Sequence, residues 1–262
     1  MIEFACQTYS LRAHPLREML LCVRKAGFRS VELWVGHADH RNGVGIASDV
    51  RRAADEVGVS IDAYSVGGFV RAGTTVVAER LESAFAFAAA LGVDLITGVI
   101  DRRAVPIVER LCGRTGIRFA LENHWYADFA RAEGFLEVLE TTSPLVGVAL
   151  DTGHLVAAGG RPADALPLLD GRLFDVHLKD VVVHGRLERW LFRRPRVEPR
   201  TVGSGEGDLE AFLAALVRGG YDGRIAIEDE RPALPLSELQ ASLRAATDLL
   251  RTVTRPLAEA VS

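Results

Sequence analysis

At 262 residues, 48% of them apolar and 25% charged, the chain is long enough for one large globular domain or two small ones. A net charge of −4 disfavours nucleic acid or an anionic membrane as a partner, and charge or glycine interrupts each apolar stretch well short of the roughly 18 residues a membrane span needs. No basic-then-apolar leader opens the sequence, so a cytoplasmic location is expected, and Cys6, Cys22 and Cys112 are too few and too scattered for a disulfide framework or a thiolate zinc site.

In chain order, β-rich runs fall at Ile2–Cys6, Ser30–Leu33, Ser60–Ser65, Leu95–Val99, Ile117–Leu121, Val146–Leu150, Leu173–His177 and Arg224–Ile227. Helical spacing occupies gaps between them: Leu16, Met19, Leu20 and Val23; Leu81, Ala84, Phe85 and Ala88; Phe135, Val138 and Leu139; Leu209, Phe212, Leu213 and Leu216. Gly27, Gly58, Gly92 and Gly116 stand just before the second to fifth strands, where helix C-caps belong. Eight βα units in about 250 residues have the size and rhythm of an α/β fold, the (β/α)8 TIM barrel, as one domain over residues 1–262. A doubly wound open sheet would normally place a Gly-rich phosphate turn after its first strand, and none follows. Residues 181–207 read as a long loop after strand seven, near the mouth of the barrel. It holds Arg186, Arg189, Arg193, Arg194, Arg196 and Arg200, then "GSGEGD". Solvated charge is the default reading of such a run; a grip on a phosphate or carboxylate, or cover for a neighbouring subunit, are the alternatives.

Chemistry in a TIM barrel belongs at the C-terminal ends of the strands. The fifth strand ends "FALENHW" at Glu122, the sixth "VALDTGH" at Asp151, the seventh "FDVHLKD" at His177 and the eighth "IAIEDE" at Glu228. Adjacent strands lie about 4.8 Å apart, so four such side chains can meet at one point inside the mouth. Any one acidic residue after a strand is ordinarily a helix N-cap or a surface carboxylate. Three carboxylates converging without a cation would repel one another, so the four together point to one divalent metal ion. Oxygen-rich ligation with one imidazole suits Mn²⁺, Mg²⁺ or Co²⁺.

At these residues the chain resembles a known family. "LENH", "LDTGH", "HLKD" and "GYDGRIAIE", the last preceded by "GSGEGDLEAFLAAL", resemble the xylose-isomerase-like TIM-barrel superfamily of sugar isomerases and epimerases over roughly residues 1 to 250. The resemblance implies that Glu122, Asp151, His177 and Glu228 are the metal ligands and that His154 points at the substrate beside the metal. With that ligand set, Glu122 and Glu228 become the acid and base that remove and return a substrate proton. The implied substrate is a small sugar or keto-polyol, with neither nucleic acid nor membrane as a partner. Barrels of this kind often pair, so a homo-oligomer is compatible with the resemblance. Val183 stands where free ketohexose 3-epimerases usually carry an arginine, and "HLKD" is more similar to members acting on inososes and other cyclic keto-polyols. The DNA-repair endonuclease of the superfamily uses a histidine-rich three-metal cluster, which the strand ends of this chain do not supply.

Lys179 stands two residues beyond His177, so while the strand continues it faces the same mouth. It is one of only two lysines among 31 basic residues, the other being Lys25, which suggests that an amine is wanted there. The alternative is a salt bridge to Asp180 or Asp151 that holds the loop. Glu32, closing the second strand in "VELW", is expected to contact substrate hydroxyls or Lys179, with a structural pairing as the alternative. Trp34 and Trp125 could wall the pocket. The expected activity is isomerisation or epimerisation of a sugar, keto-polyol or related polyhydroxy carbonyl compound. The alternatives are an inosose- or dehydroshikimate-type dehydratase on the same ligands, and a non-catalytic sugar-binding protein.

Overall fold

The computed structural model describes residues 2–68, 73–169, 171–185 and 196–259. Eight parallel strands close a barrel: β1 (Phe4–Gln7), β2 (Ser30–Trp34), β3 (Ser60–Gly68), β4 (Leu95–Val99), β5 (Arg118–Glu122), β6 (Val146–Asp151), β7 (Leu173–Leu178) and β10 (Arg224–Ile227). Neighbours follow sequence order, and β10 closes the ring between β7 and β1. Gly27, Gly58, Gly92 and Gly116 adopt the left-handed conformation expected of them, each capping the helix that leads into a strand.

Side chains alternate between the two faces of each strand, and that alternation sorts the core. Val31, Leu33, Ile96, Phe119, Leu121, Val148, Leu150, Val176, Leu178, Ile225 and Ile227 face the helices in one buried cluster. Inside the barrel a separate layer of Ala63, Leu95, Ala120 and Ala149 packs on Phe174. A Cβ on Gly147 would lie 2.5 Å from the Phe174 ring, so glycine is what lets the ring seat there. Beneath Phe174 lies a hollow of about 510 Å³ rimmed by Arg29, Arg118 and Arg224. The next interior layer above the alanines is the polar one. Ala149 pairs with Asp175 and Asp151 with His177, while Ala226 pairs with His177 and Ala149 with Glu122.

The connection after β7, expected as an irregular loop, is partly regular. Asp180–His184 (β8) and Arg196–Arg200 (β9) form an antiparallel hairpin, with Val181 opposite Pro199. Arg186, Arg189, Arg193 and Arg194 lie outside the described residues. The "GSGEGD" segment wraps the buried carboxylate of Asp180, which accepts the N–H groups of Gly203, Gly205 and Gly207 at 2.9, 2.8 and 3.2 Å. Gly205 approaches so closely that a Cβ there would overlap Asp180 Oδ1. No helix among the described residues is long and apolar enough to cross a membrane. Replacing Asp180 with alanine strands these amides, and the expected cost is about 3 kcal/mol, read as a lowered urea midpoint at unchanged slope.

Candidate metal centre

Glu122 and Asp151 end β5 and β6, His177 is the last residue but one of β7 and Glu228 follows β10, and one ligand atom from each lies within 4.8 Å of the others. The sequence placed these four together, and the structure does the same. His177 Nδ1 stands 3.5 Å from Glu122 Oε1, 3.3 Å from Glu228 Oε2 and 4.0 Å from Asp151 Oδ2. Both His177 Nδ1 and Glu228 Oε2 are buried and lack a hydrogen-bond partner. Such orphans are costly. A divalent ion fits the observation, because the unpaired nitrogen and the three carboxylates are aimed at one point and supply an N,O donor set.

The second nitrogen of His177 is fixed from behind. Nε2 lies 3.1 and 3.0 Å from the two carboxylate oxygens of Glu32, which also meets Gln7 Nε2 at 3.3 Å. Glu32 is therefore placed beneath the imidazole with no exposed surface, in the structural pairing that was the alternative reading and not against Lys179. The physical reason is depth: Glu32 pairs with Ala63 in the inner layer, a level below the mouth. A carboxylate in this position sets the tautomer of a ligating histidine and raises its basicity. Burial alone would drive His177 below the usual imidazole range, but Glu32 and then Glu122 raise it well above that range. Burial and the charge of Glu32 likewise push Asp175 well above the usual carboxylate range.

Asp151 performs two tasks that its sequence position presented as rivals. It is the N-cap of α6 (Thr152–Ala157), where Oδ1 accepts the His154 N–H at 2.6 Å, while Oδ2 accepts from Lys179 Nζ at 2.9 Å. Asn123 pins the same residue, donating to the Asp151 carbonyl at 2.9 Å and accepting its N–H at 2.7 Å.

Lys179 is fully buried. Besides Asp151, its ammonium lies 3.1 Å from Glu230 Oε1, 3.2 Å from His154 Nε2 and 3.5 Å from Glu228 Oε2. The anticipated ion pair with Asp151 is present, within a larger network. Burial opposes the charge on Lys179, yet Asp151, Glu228 and Glu230 together raise its pKa well above the ordinary lysine value. Gly153 packs against the lysine stem, where a Cβ would come within 2.6 Å of Cγ and Cδ. His154 lies in the mouth, its Nε2 3.6 Å from Glu230 Oε1, with the His124 ring tilted against it at 35°, centroids 3.7 Å apart. Burial, then the neighbouring His154 and Lys179, push His124 down to about 3, so its ring is neutral at physiological pH.

Sequence reasoning missed Glu230, Asn123 and Gly153. Glu230 carried a signal: it stands two residues beyond Glu228, as Lys179 stands two beyond His177. The role of Gly153 depends on a lysine from another strand.

A closed parallel barrel carrying four convergent metal-type donors at its C-terminal mouth defines a (β/α)8 protein with a candidate site for a divalent ion. The chain belongs to the xylose isomerase-like TIM barrel family, whose family model matches residues 21–252. It is similar to an inosose dehydratase of Geobacillus kaustophilus, with 32% identity over 131 residues, 46% of this chain and 42% of that enzyme. The match thus spans less than half of the relative's own length. Among solved structures, an L-ribulose 3-epimerase superposes with a TM-score of 0.78 at 19% identity, covering 100% of this chain and 98% of that one. The IOLI protein, crystallised with a bound zinc atom, gives 0.75 at 18% identity over 96% and 99% of the two chains.

Glu32→Gln is expected to weaken divalent-metal binding by about 10–100-fold with the fold intact, measured by equilibrium dialysis against Mn²⁺ or Co²⁺. Gly153→Ala, which must displace the Lys179 stem, should cost about 1–3 kcal/mol in urea unfolding.

Proposed function

We propose that this protein is a divalent-metal-dependent isomerase or epimerase acting on a sugar, keto-polyol or related polyhydroxy carbonyl compound. The observation that carries the reading is the orphaned Nδ1 of His177 facing three carboxylate oxygens, with Glu122 and Glu228 at 3.5 and 3.3 Å. Glu122, Asp151, His177 and Glu228 would hold the ion, with Mn²⁺, Mg²⁺ or Co²⁺ suited to the oxygen-rich set. Bound there, a divalent ion would polarise a chelated carbonyl and its neighbouring hydroxyl and so acidify the C–H of the carbinol carbon.

The remaining work falls to the chain. Glu122 and Glu228 come from β5 and the end of β10, on either side of His177, so one can accept the substrate proton and the other can return one. Return to the opposite face of the same carbon gives an epimer, and return to the neighbouring carbon gives an aldose–ketose isomer. In this reading His154 and Lys179 would offer N–H donors to the oxygen on which negative charge develops. Asp151 and Glu230 hold Lys179 in place for that task. Asn123 and Glu32 act earlier still, fixing Asp151 and His177 before any substrate arrives.

A second reading is dehydration, in which the same proton abstraction is followed by loss of a β-hydroxyl. Two observations favour it. The Lys179, His154 and Glu230 cluster adds a proton-bearing group beyond the two glutamates, able to accompany a departing hydroxide as water. The partial sequence relative is an inosose dehydratase. A binding protein without activity is disfavoured by the full set of four donors with its buried support.

Metal-loaded protein in D₂O, offered a panel of ketoses and inososes, is expected to incorporate deuterium at unchanged skeletal formula. Loss of one water would move the assignment to the lyase. EDTA should stop the reaction, and no exchange across the panel with metal bound would remove both enzymatic readings. Glu122→Gln should lower exchange by about 10²–10⁴-fold while the protein still binds metal.

A further inference from the structure

The chain leaves the barrel wall at Lys179. The pairing of β7 with β6 ends at His177 and its pairing with β10 ends at Leu178, while the hairpin pairing of β8 begins at Asp180. Lys179 stands between these ladders and is buried, so its backbone N–H and C=O need partners of another kind. One side chain meets both. Thr152 Oγ1 accepts the Lys179 N–H at 3.0 Å and donates to the Lys179 carbonyl at 2.6 Å, with the His177 carbonyl a longer second acceptor at 3.3 Å.

Thr152 is one of four consecutive residues that address the same lysine. Asp151 Oδ2 accepts from the ammonium at 2.9 Å, and His154 Nε2 lies 3.2 Å from it. Between them Gly153 lines the stem, where an added Cβ would come within 3.1, 2.6 and 2.6 Å of Lys179 Cβ, Cγ and Cδ. Backbone, stem and head are thus each held by a different part of residues 151–154. With the stem confined against Gly153, a displacement of the backbone carries through to the ammonium. The next residue, Asp180, is anchored separately, by the N–H groups of Gly203, Gly205 and Gly207. The backbone of Lys179 itself rests on the Thr152 hydroxyl.

We propose that Thr152 is a positioning residue for the reaction: its hydroxyl fixes the backbone of Lys179 at the junction of β7 and β8, and thereby the point at which the ammonium meets a substrate oxygen. Thr152 has no exposed surface, so it acts through Lys179 and not on the substrate. Removing the hydroxyl leaves a buried N–H and C=O without their partner, and the junction must shift to satisfy them. A shift of about 1 Å in a group that meets developing charge is enough to lower turnover about 100-fold. Because that contact strengthens in the transition state, the loss falls on kcat and not on KM. This inference rests on the enolisation reading above and adds a residue to it.

Lys25 and Lys179 are the only lysines in the chain, which gives the ammonium its own probe. In Mg²⁺-loaded protein labelled with ¹⁵N at the lysine side chains, buried Lys179 is expected to give a slowly exchanging ammonium resonance, and Lys25→Arg confirms the assignment. Thr152→Val, which keeps the side-chain shape and removes the hydroxyl, should shift or broaden that resonance. It should also lower kcat for deuterium exchange into the panel of ketoses and inososes by about 100-fold, with KM and metal affinity unchanged. Thr152→Ser should restore the resonance and most of kcat. Should Thr152→Val not fold, Thr152→Ala takes its place under the same criteria. An unmoved resonance, a metal affinity that falls along with it, or failure of Thr152→Ser to rescue would overturn the inference. The resonance needs no turnover, so the two levels separate: a resonance that shifts in Thr152→Val and returns in Thr152→Ser, with no exchange by any preparation, keeps the placement of Lys179 by Thr152 and removes the enolisation reading alone.

Discussion

Negative charge held out of water is the constraint around which this barrel is organised. Glu32, Glu122, Asp151, Glu228 and Glu230 surround two buried imidazoles, His177 and His154, and one buried ammonium. Such an assembly is tolerable only when every carboxylate has a counter-charge or donor in a fixed place. The chain meets that demand residue by residue. His177 is shared between Glu32 below and three carboxylates above, Lys179 between Asp151, Glu228 and Glu230, and the charge of Glu32, with burial, pushes Asp175 toward its neutral form. The place left over, in front of His177 Nδ1, is the one that a divalent ion suits.

Much of this was legible in the sequence because it depends on local periodicity. The four helix-capping glycines, the alternation of β-rich runs with helical spacing, and the acidic or histidine residue closing four successive runs are each visible within a few residues of chain. They agree on one architecture, as consistent sequences do. Asp151 shows the limit. Capping a helix and facing a metal site looked like competing explanations; in the fold one carboxylate oxygen caps the helix while the other accepts from Lys179 and lies 4.0 Å from His177 Nδ1.

What escaped was non-local. The depth of Glu32 depends on the register of β2 against β3, which no stretch of sequence states. Glu230 and Gly153 gain their roles from Lys179 on a different strand. The hairpin of β8 and β9 was hidden by composition. Arginines and Pro199 argue against a strand, yet proline is tolerated in a two-stranded ribbon whose outer edges are unpaired.

The seating of Phe174 over Gly147 has a kinetic consequence. That ring packs against Gly147 and the inner alanines between the lower hollow and the polar layer, so among the described residues it blocks passage along the barrel axis from below. An ion held by the four donors and a ligand resting above it would then have to queue at the mouth. The ion would enter first and leave last, and a bound ligand would act as its stopper, so metal loss by the protein should slow as ligand concentration rises.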